Sequence, residues 1–142
     1  MKLLVVLFLA IVGVVVAKSH HPKDRIEGLV EFTRESFSKA VAEGDVFVEV
    51  YADWCGNCQN AIPTMRHLGD KVDQIAKGVT IGKINGEKYK EFGNGRKFSA
   101  VNGYPTLIYV RKGTEKKDNA REYKGSMNSN DIVRWVNRQR RD

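Results

Sequence analysis

Cysteine is scarce in this chain: its 142 residues hold two, Cys55 and Cys58. That scarcity excludes a disulfide-stapled scaffold, because bridging such near neighbours closes a tiny loop and removes little entropy from the unfolded chain. Proline is nearly as rare, with three, and no Pro-, Gly- or Ser-rich tract, internal repeat or low-complexity run divides the sequence. Histidine is limited to His20, His21 and His67. A four-ligand zinc site on the two cysteines would have to recruit these, and two of them sit in a polar leader, so no metal is expected. Also missing is an apolar run of the roughly 20 residues that a membrane-crossing helix needs.

The longest apolar run, Leu3 to Ala17, follows Met1-Lys2 and ends in Val15-Val16-Ala17. Its length and its small terminal residue read as a signal peptide, residues 1–17, cut after Ala17 and leaving no stable membrane anchor. The remainder, 18–142, suits one domain with a single core, preceded by a flexible leader over 18–27. Basic residues outnumber acidic ones 24 to 17, a net charge of +7. Because that surplus is spread along the chain with no interleaved aromatics, it predicts solvated faces and no nucleic-acid partner.

Periodicity divides the domain into strands and helices. Gly28 to Phe32 reads as a short strand, and Thr33 as the cap of a helix that Gly44 ends. Val46 to Tyr51 is almost wholly apolar, the pattern of a strand covered on both faces. A helix then runs to about Ala76, with Ile62, Met65, Leu68, Val72 and Ile75 on one side. Val79 to Ile84 and Thr106 to Val110 are further strands, Glu87 to Phe98 is weakly helical, and Glu122-Tyr123-Lys124 adds an edge strand. Ser129-Asn130-Asp131 caps a last helix. Strands alternating with helices, then a hairpin and a closing helix, predict an α/β domain on a mixed sheet.

The cysteines fall at the junction between the buried strand and the long helix, in Trp54-Cys55-Gly56-Asn57-Cys58. Unpaired N–H groups and the helix dipole favour thiolate over thiol there, and the thiolate is the species that attacks disulfides. An oxidising compartment and one close pair predict a working dithiol/disulfide switch.

These residues, with Lys83, Gly103-Tyr104-Pro105-Thr106, Tyr123-Lys124-Gly125 and Asp131 to Trp135, resemble the thioredoxin-like superfamily, and within it the catalytic domains of protein disulfide isomerases. The resemblance spans about Leu29 to Asn137. It implies a thioredoxin fold, a central mixed sheet with helices on both faces, and a thiol-disulfide oxidoreductase that reduces, forms or isomerises disulfides in protein clients without a cofactor. Cys55 is then the exposed nucleophile and Cys58 the buried partner that resolves the mixed disulfide. Glu49 becomes a buried acid beneath Cys58 that relays its proton, with Lys83 on the neighbouring strand able to pair with it. Tyr104-Pro105 becomes a cis-proline corner facing the cysteines, and Trp54, Gly56 and Asn57 join it in contacting substrate.

The chain departs from the family pattern in three places. Asn57 stands where isomerases commonly carry histidine, and an amide cannot support a thiolate as an imidazolium does, so the pair is expected to be less oxidising. Met127 aligns with a family arginine that assists deprotonation of the second cysteine, leaving Arg121 or Lys124 as substitutes. The segment between Lys83 and Pro105 is also longer, with Gly93-Asn94-Gly95 as an insertion. Expected partners are clients bearing thiols or disulfides and a redox partner such as glutathione, met by a monomer in the endoplasmic reticulum lumen. Because the last residues carry no Lys-Asp-Glu-Leu type signal, secretion is open as well. Two other functions are open too: a chaperone-like binding module for unfolded chains, and an electron carrier to one dedicated partner.

Overall fold

A computed structural model describes residues 21–141; the expected signal peptide lies outside them. Five strands form one sheet in the order β1-β3-β2-β4-β5: β1 Val30–Phe32, β2 Asp45–Tyr51, β3 Val79–Asn85, β4 Thr106–Val110 and β5 Arg121–Glu122. The first three in that order run parallel, β4 is antiparallel to β2 and β5 to β4, so the sheet is mixed as expected. Three helices are described: α1 Arg34–Glu43, α2 Gly56–Gly69 and α3 Ser129–Arg141.

Every residue of β2 is buried, because it lies between β3 and β4 and both its faces are covered. Side chains alternate across a strand. Val46, Val48 and Val50 therefore join Phe37 and Val41 of α1, while Phe47 meets Met65 and Leu68 of α2 and Ile132 and Val136 of α3. By the same alternation Glu49 and Tyr51 point to the α2 side.

Local chemistry explains the helix starts. The Thr33 hydroxyl accepts from the Ser36 N–H at 3.1 Å and the Ser36 hydroxyl from the Thr33 N–H at 2.9 Å, a reciprocal cap on α1. For α3 the cap is Asn128 rather than the expected Ser129-Asn130-Asp131. Its side-chain oxygen accepts from the N–H groups of Asn130 at 2.9 Å and Asp131 at 3.3 Å, and its carbonyl from that of Ile132.

Three other expectations are corrected. Helix α2 stops at Gly69, and Val72–Gln74 is a separate 3-10 turn with Val72 exposed, so the apolar spacing out to Ala76 does not stay on one face. The stretch read as a flexible leader is docked from Pro22 onward: Pro22 and Ile26 are buried, and Ile26 packs in the core beside α2. That docking needs a close backbone approach. A Cβ on Gly69 would lie 2.1 Å from the Glu27 carbonyl oxygen. Finally, Glu87 to Phe98 holds only the 3-10 turn Lys90–Phe92, yet Phe92 and Phe98 are fully buried against Phe37.

The cap assignment is testable. Asn128→Ala should cost about 1 kcal/mol of stability in urea unfolding, while the exposed Asn130→Ala should stay within about 0.5 kcal/mol of wild type.

Candidate active site

Beyond Tyr51 the chain leaves β2, and Ala52 accepts the Cys55 N–H at 3.3 Å in a tight turn. This bend sets Cys55 as the N-cap of α2: its Sγ accepts from the Cys58 N–H at 3.0 Å. The same sulfur donates to the Tyr104 carbonyl at 3.3 Å. Opposite it the Tyr104–Pro105 peptide bond is cis, as expected.

Those two contacts fold the Cys55 side chain inward, correcting the expectation of an exposed nucleophile. Cys55 is 5% exposed and Cys58 2%, and both are free thiols packed against Tyr51, Ala52 and Tyr104. Trp54 stands out instead, at 71% exposure, with its ring edge-on to Tyr104 at 6.0 Å. Gly56 and Asn57 are exposed on the first turn of α2.

Tyr104 is held by absences on its neighbours. A Cβ on Gly93 would lie 2.2 Å from its hydroxyl oxygen, and one on Gly86 2.7 Å from its ring. The segment expected as an insertion thus builds the slot behind the proline corner, with Asn94 and Gly95 at φ 53° and 63° making its turn.

Glu49 lies on the α2 face of β2, in register with Lys83 on β3 and Leu107 on β4. It is buried, and its Oε2 has no hydrogen-bond partner among the described residues. Burial pushes its carboxyl up to about 7; Lys83 opposes the rise and Glu31 adds to it. Burial also pushes the Cys58 thiol well up, followed by its hydrogen bond with Cys55, and the charge of Glu49 acts in the same direction. Cys58 is therefore a thiol in need of a proton acceptor, within electrostatic reach of a carboxyl balanced near neutrality.

The ion pair expected between Lys83 and Glu49 is not formed. Lys83 Nζ instead lies 3.1 Å from Glu31 Oε1 and 4.4 Å from the centroid of the Tyr51 ring, and donates to the Pro22 carbonyl. Glu31 and Tyr51 escaped the sequence reading, since only the β1-β3-β2 order puts Glu31 beside Lys83. Neither suggested substitute for the missing arginine is free: Arg121 donates to Gln139 at 2.8 Å, and Lys124 lies 3.7 Å from Glu122. Met127 is exposed, anchored through its carbonyl to the Thr64 hydroxyl at 2.7 Å. It borders a largely apolar groove of about 390 Å³ beside the cysteines, lined also by Asn57, Ala61, Pro105, Leu107 and Tyr123.

Residues 28–138 match the Thioredoxin family model. The chain belongs to the thioredoxin family. This thioredoxin domain is 30% identical over 116 residues to a protein disulfide-isomerase A6 homolog of Drosophila melanogaster, covering 78% of this chain and 24% of that protein. It is 33% identical over 112 residues to a protein disulfide-isomerase of Schizosaccharomyces pombe, covering 78% and 30%. The chain therefore spans less than a third of the length of these relatives. Among solved structures it is similar to the first thioredoxin domain of mouse protein disulfide-isomerase A4, with TM-score 0.63 and 27% identity over 80% of this chain and 79% of that one. The J-Trx1 fragment of ERdj5 is also similar, with TM-score 0.66 and 25% identity over 81% and 53%.

The raised Glu49 carboxyl makes the stability of the thioredoxin domain depend on pH. An acid lifted from 4.5 to about 7 holds its proton in the folded state after the unfolded chain has lost it, so stability is intact below about 4.5 and falls as pH rises through 7. At 1.36 kcal/mol per pH unit the loss amounts to roughly 3 kcal/mol. Glu49→Gln should remove that slope, its gain over wild type growing between about pH 5 and pH 8 in urea unfolding.

Proposed function

We propose that this thioredoxin domain is a thiol-disulfide oxidoreductase for protein clients of the secretory pathway, working through Cys55 and Cys58. The observation that carries this reading is the Cys55 sulfur itself, seated at the N-terminus of α2 on the Cys58 N–H and facing the cis-proline corner. A thiolate placed there is stabilised by the helix start and lies beside backbone that an extended client chain can pair with.

In the reducing direction the Cys55 thiolate attacks a client disulfide. A bond forms between Cys55 and one client sulfur, and the other client sulfur leaves as a thiolate that takes up a proton. Cys58 then gives its proton to ionised Glu49 and attacks the Cys55 sulfur. The mixed disulfide breaks, the client departs with two electrons gained, and a Cys55–Cys58 disulfide remains. Oxidation of a client dithiol is the reverse. Asn57 and Met127 favour reduction or isomerisation over strong oxidation, since neither supplies the positive charge that would stabilise the reduced thiolate. Trp54, Gly56, Asn57, Tyr104 and Pro105 form the client-contacting rim, and the groove lined by Asn57, Pro105 and Met127 gives a client side chain an apolar seat. Two glutathione molecules, leaving as glutathione disulfide, or another redox partner would return the oxidised pair to its dithiol state.

The endoplasmic reticulum lumen is the proposed compartment, supported by the signal-like Leu3 to Ala17 run and by the kinship with protein disulfide-isomerases.

Cysteine replacements test the reading directly. With a disulfide-bonded client, Cys58→Ser should accumulate the mixed disulfide and Cys55→Ser should form none, as followed by non-reducing electrophoresis. Refolding that persists in the Cys55→Ser, Cys58→Ser double variant would mark a binding module instead. Glu49→Ala should slow the resolving step about a hundredfold while leaving attack by Cys55 nearly unchanged, measured in single turnovers.

A further inference from the structure

The registers of β1, β3 and β2 align Glu31, Lys83 and Glu49 in one row across three parallel strands. Lys83 is the middle member, so its backbone offers the ammonium to either acid. It reaches Glu31, at 3.1 Å, and the Glu49 Oε2 is left without a hydrogen bond. Two further contacts hold it on that side: the Pro22 carbonyl, which accepts from Nζ, and the Tyr51 ring under it at 4.4 Å. Glu31 is itself oriented, because the Tyr51 hydroxyl donates to its Oε1 at 2.8 Å. Lys83 is only 1% exposed while Glu31 is 23% exposed, so the ammonium is drawn toward the wetter end of the row.

We propose that Glu31 is a positioning residue for Glu49: by holding the Lys83 ammonium at the outer end of the row, it keeps the buried acid able to exchange a proton with Cys58. The role in turnover rests on the redox reading given above. The physical reason is competition for one cation. If Lys83 paired with Glu49, the carboxylate would be stabilised and would accept the Cys58 proton poorly. With no cation nearby at all, the carboxyl would stay protonated at neutral pH and could not accept it. Lys83 tethered one strand away gives an intermediate attraction, and the negative charge of Glu31 pushes Glu49 toward its neutral form as well. The charged and titratable groups acting on Glu49 are Lys83 from β3, Glu31 from β1, Tyr51 along β2 and Cys58 from α2, while Leu107 on β4 is apolar.

A titration of the carboxyl carbons in glutamate-labelled protein by NMR reads Glu49 without relying on activity. Glu31→Gln should lower the Glu49 midpoint by about one pH unit, a tenfold loss of proton affinity, because Lys83 is released toward it. Glu31→Ala should shift it the same way; the site is on the edge strand, so at least one of the two should fold. In a Lys83→Met background, removing Glu31 should move the midpoint much less, since Glu31 acts mainly through the lysine. In single turnovers the pH profile of mixed-disulfide resolution should follow the midpoint downward in Glu31→Gln. A midpoint that stays within a few tenths of a unit in both Glu31 variants, or that moves equally with and without Lys83, overturns the proposal. A protein that shows the shift but exchanges no disulfide with clients keeps Glu31 as the positioner of Glu49 and removes the redox reading instead.

Discussion

A carboxylic acid in a strand covered on both faces is the constraint around which this domain is arranged. The strand β2 is buried on both faces, so burial disfavours the ionised form of Glu49, and its charge depends on whatever cation the neighbouring strands bring near. The parallel pairing with β3 brings Lys83, and the pairing of β3 with β1 brings a second acid that competes for it. The proton chemistry available to Cys58 follows from how that competition is resolved. The end of the same strand also delivers the chain to Cys55, so one element sets both the reactive sulfur and the acid beneath it.

The reactive corner draws support from the two faces of the sheet at once. On the α2 side, Cys55 caps the helix and Cys58 lies beneath the first turn. On the α1 side, Phe92 and Phe98 pack against Phe37, which anchors the long connection between β3 and β4 and so holds Gly93 against the Tyr104 hydroxyl. The residue whose carbonyl meets the Cys55 sulfur is thereby gripped from a distance by an aromatic core. Docking of Ile26 and Pro22 extends the same logic to the N-terminal segment, where the Pro22 carbonyl contacts Lys83.

Most of the architecture was legible because its signals are local. Near-continuous apolarity marks β2 and β4, the Thr33 cap marks α1, and the Cys-X-X-Cys spacing together with Tyr104-Pro105 marks the site. What was missed depends on tertiary context. Helix α2 ends at Gly69, where the Glu27 backbone approaches so closely that no Cβ would fit, and helical periodicity records no such approach. Phe92 and Phe98 read as a weak helix because burial in an irregular segment has no period. Asn128 adjoins Ser129-Asn130-Asp131, the expected cap, in one run of good capping residues, and the choice among them lies in backbone geometry.

From the linear order of residues alone came the redox pair, its place before a helix and the apolar strand leading into it, since propensity, capping and helix dipoles act over a few residues. Strand order, and with it the meeting of Glu31 with Lys83, came only from the folded chain. Two acids 18 positions apart compete for a lysine 34 positions beyond the second because three parallel strands set them side by side. The inward turn of the Cys55 side chain is also a tertiary result, since a backbone amide of α2 and a carbonyl 49 residues away together hold its sulfur.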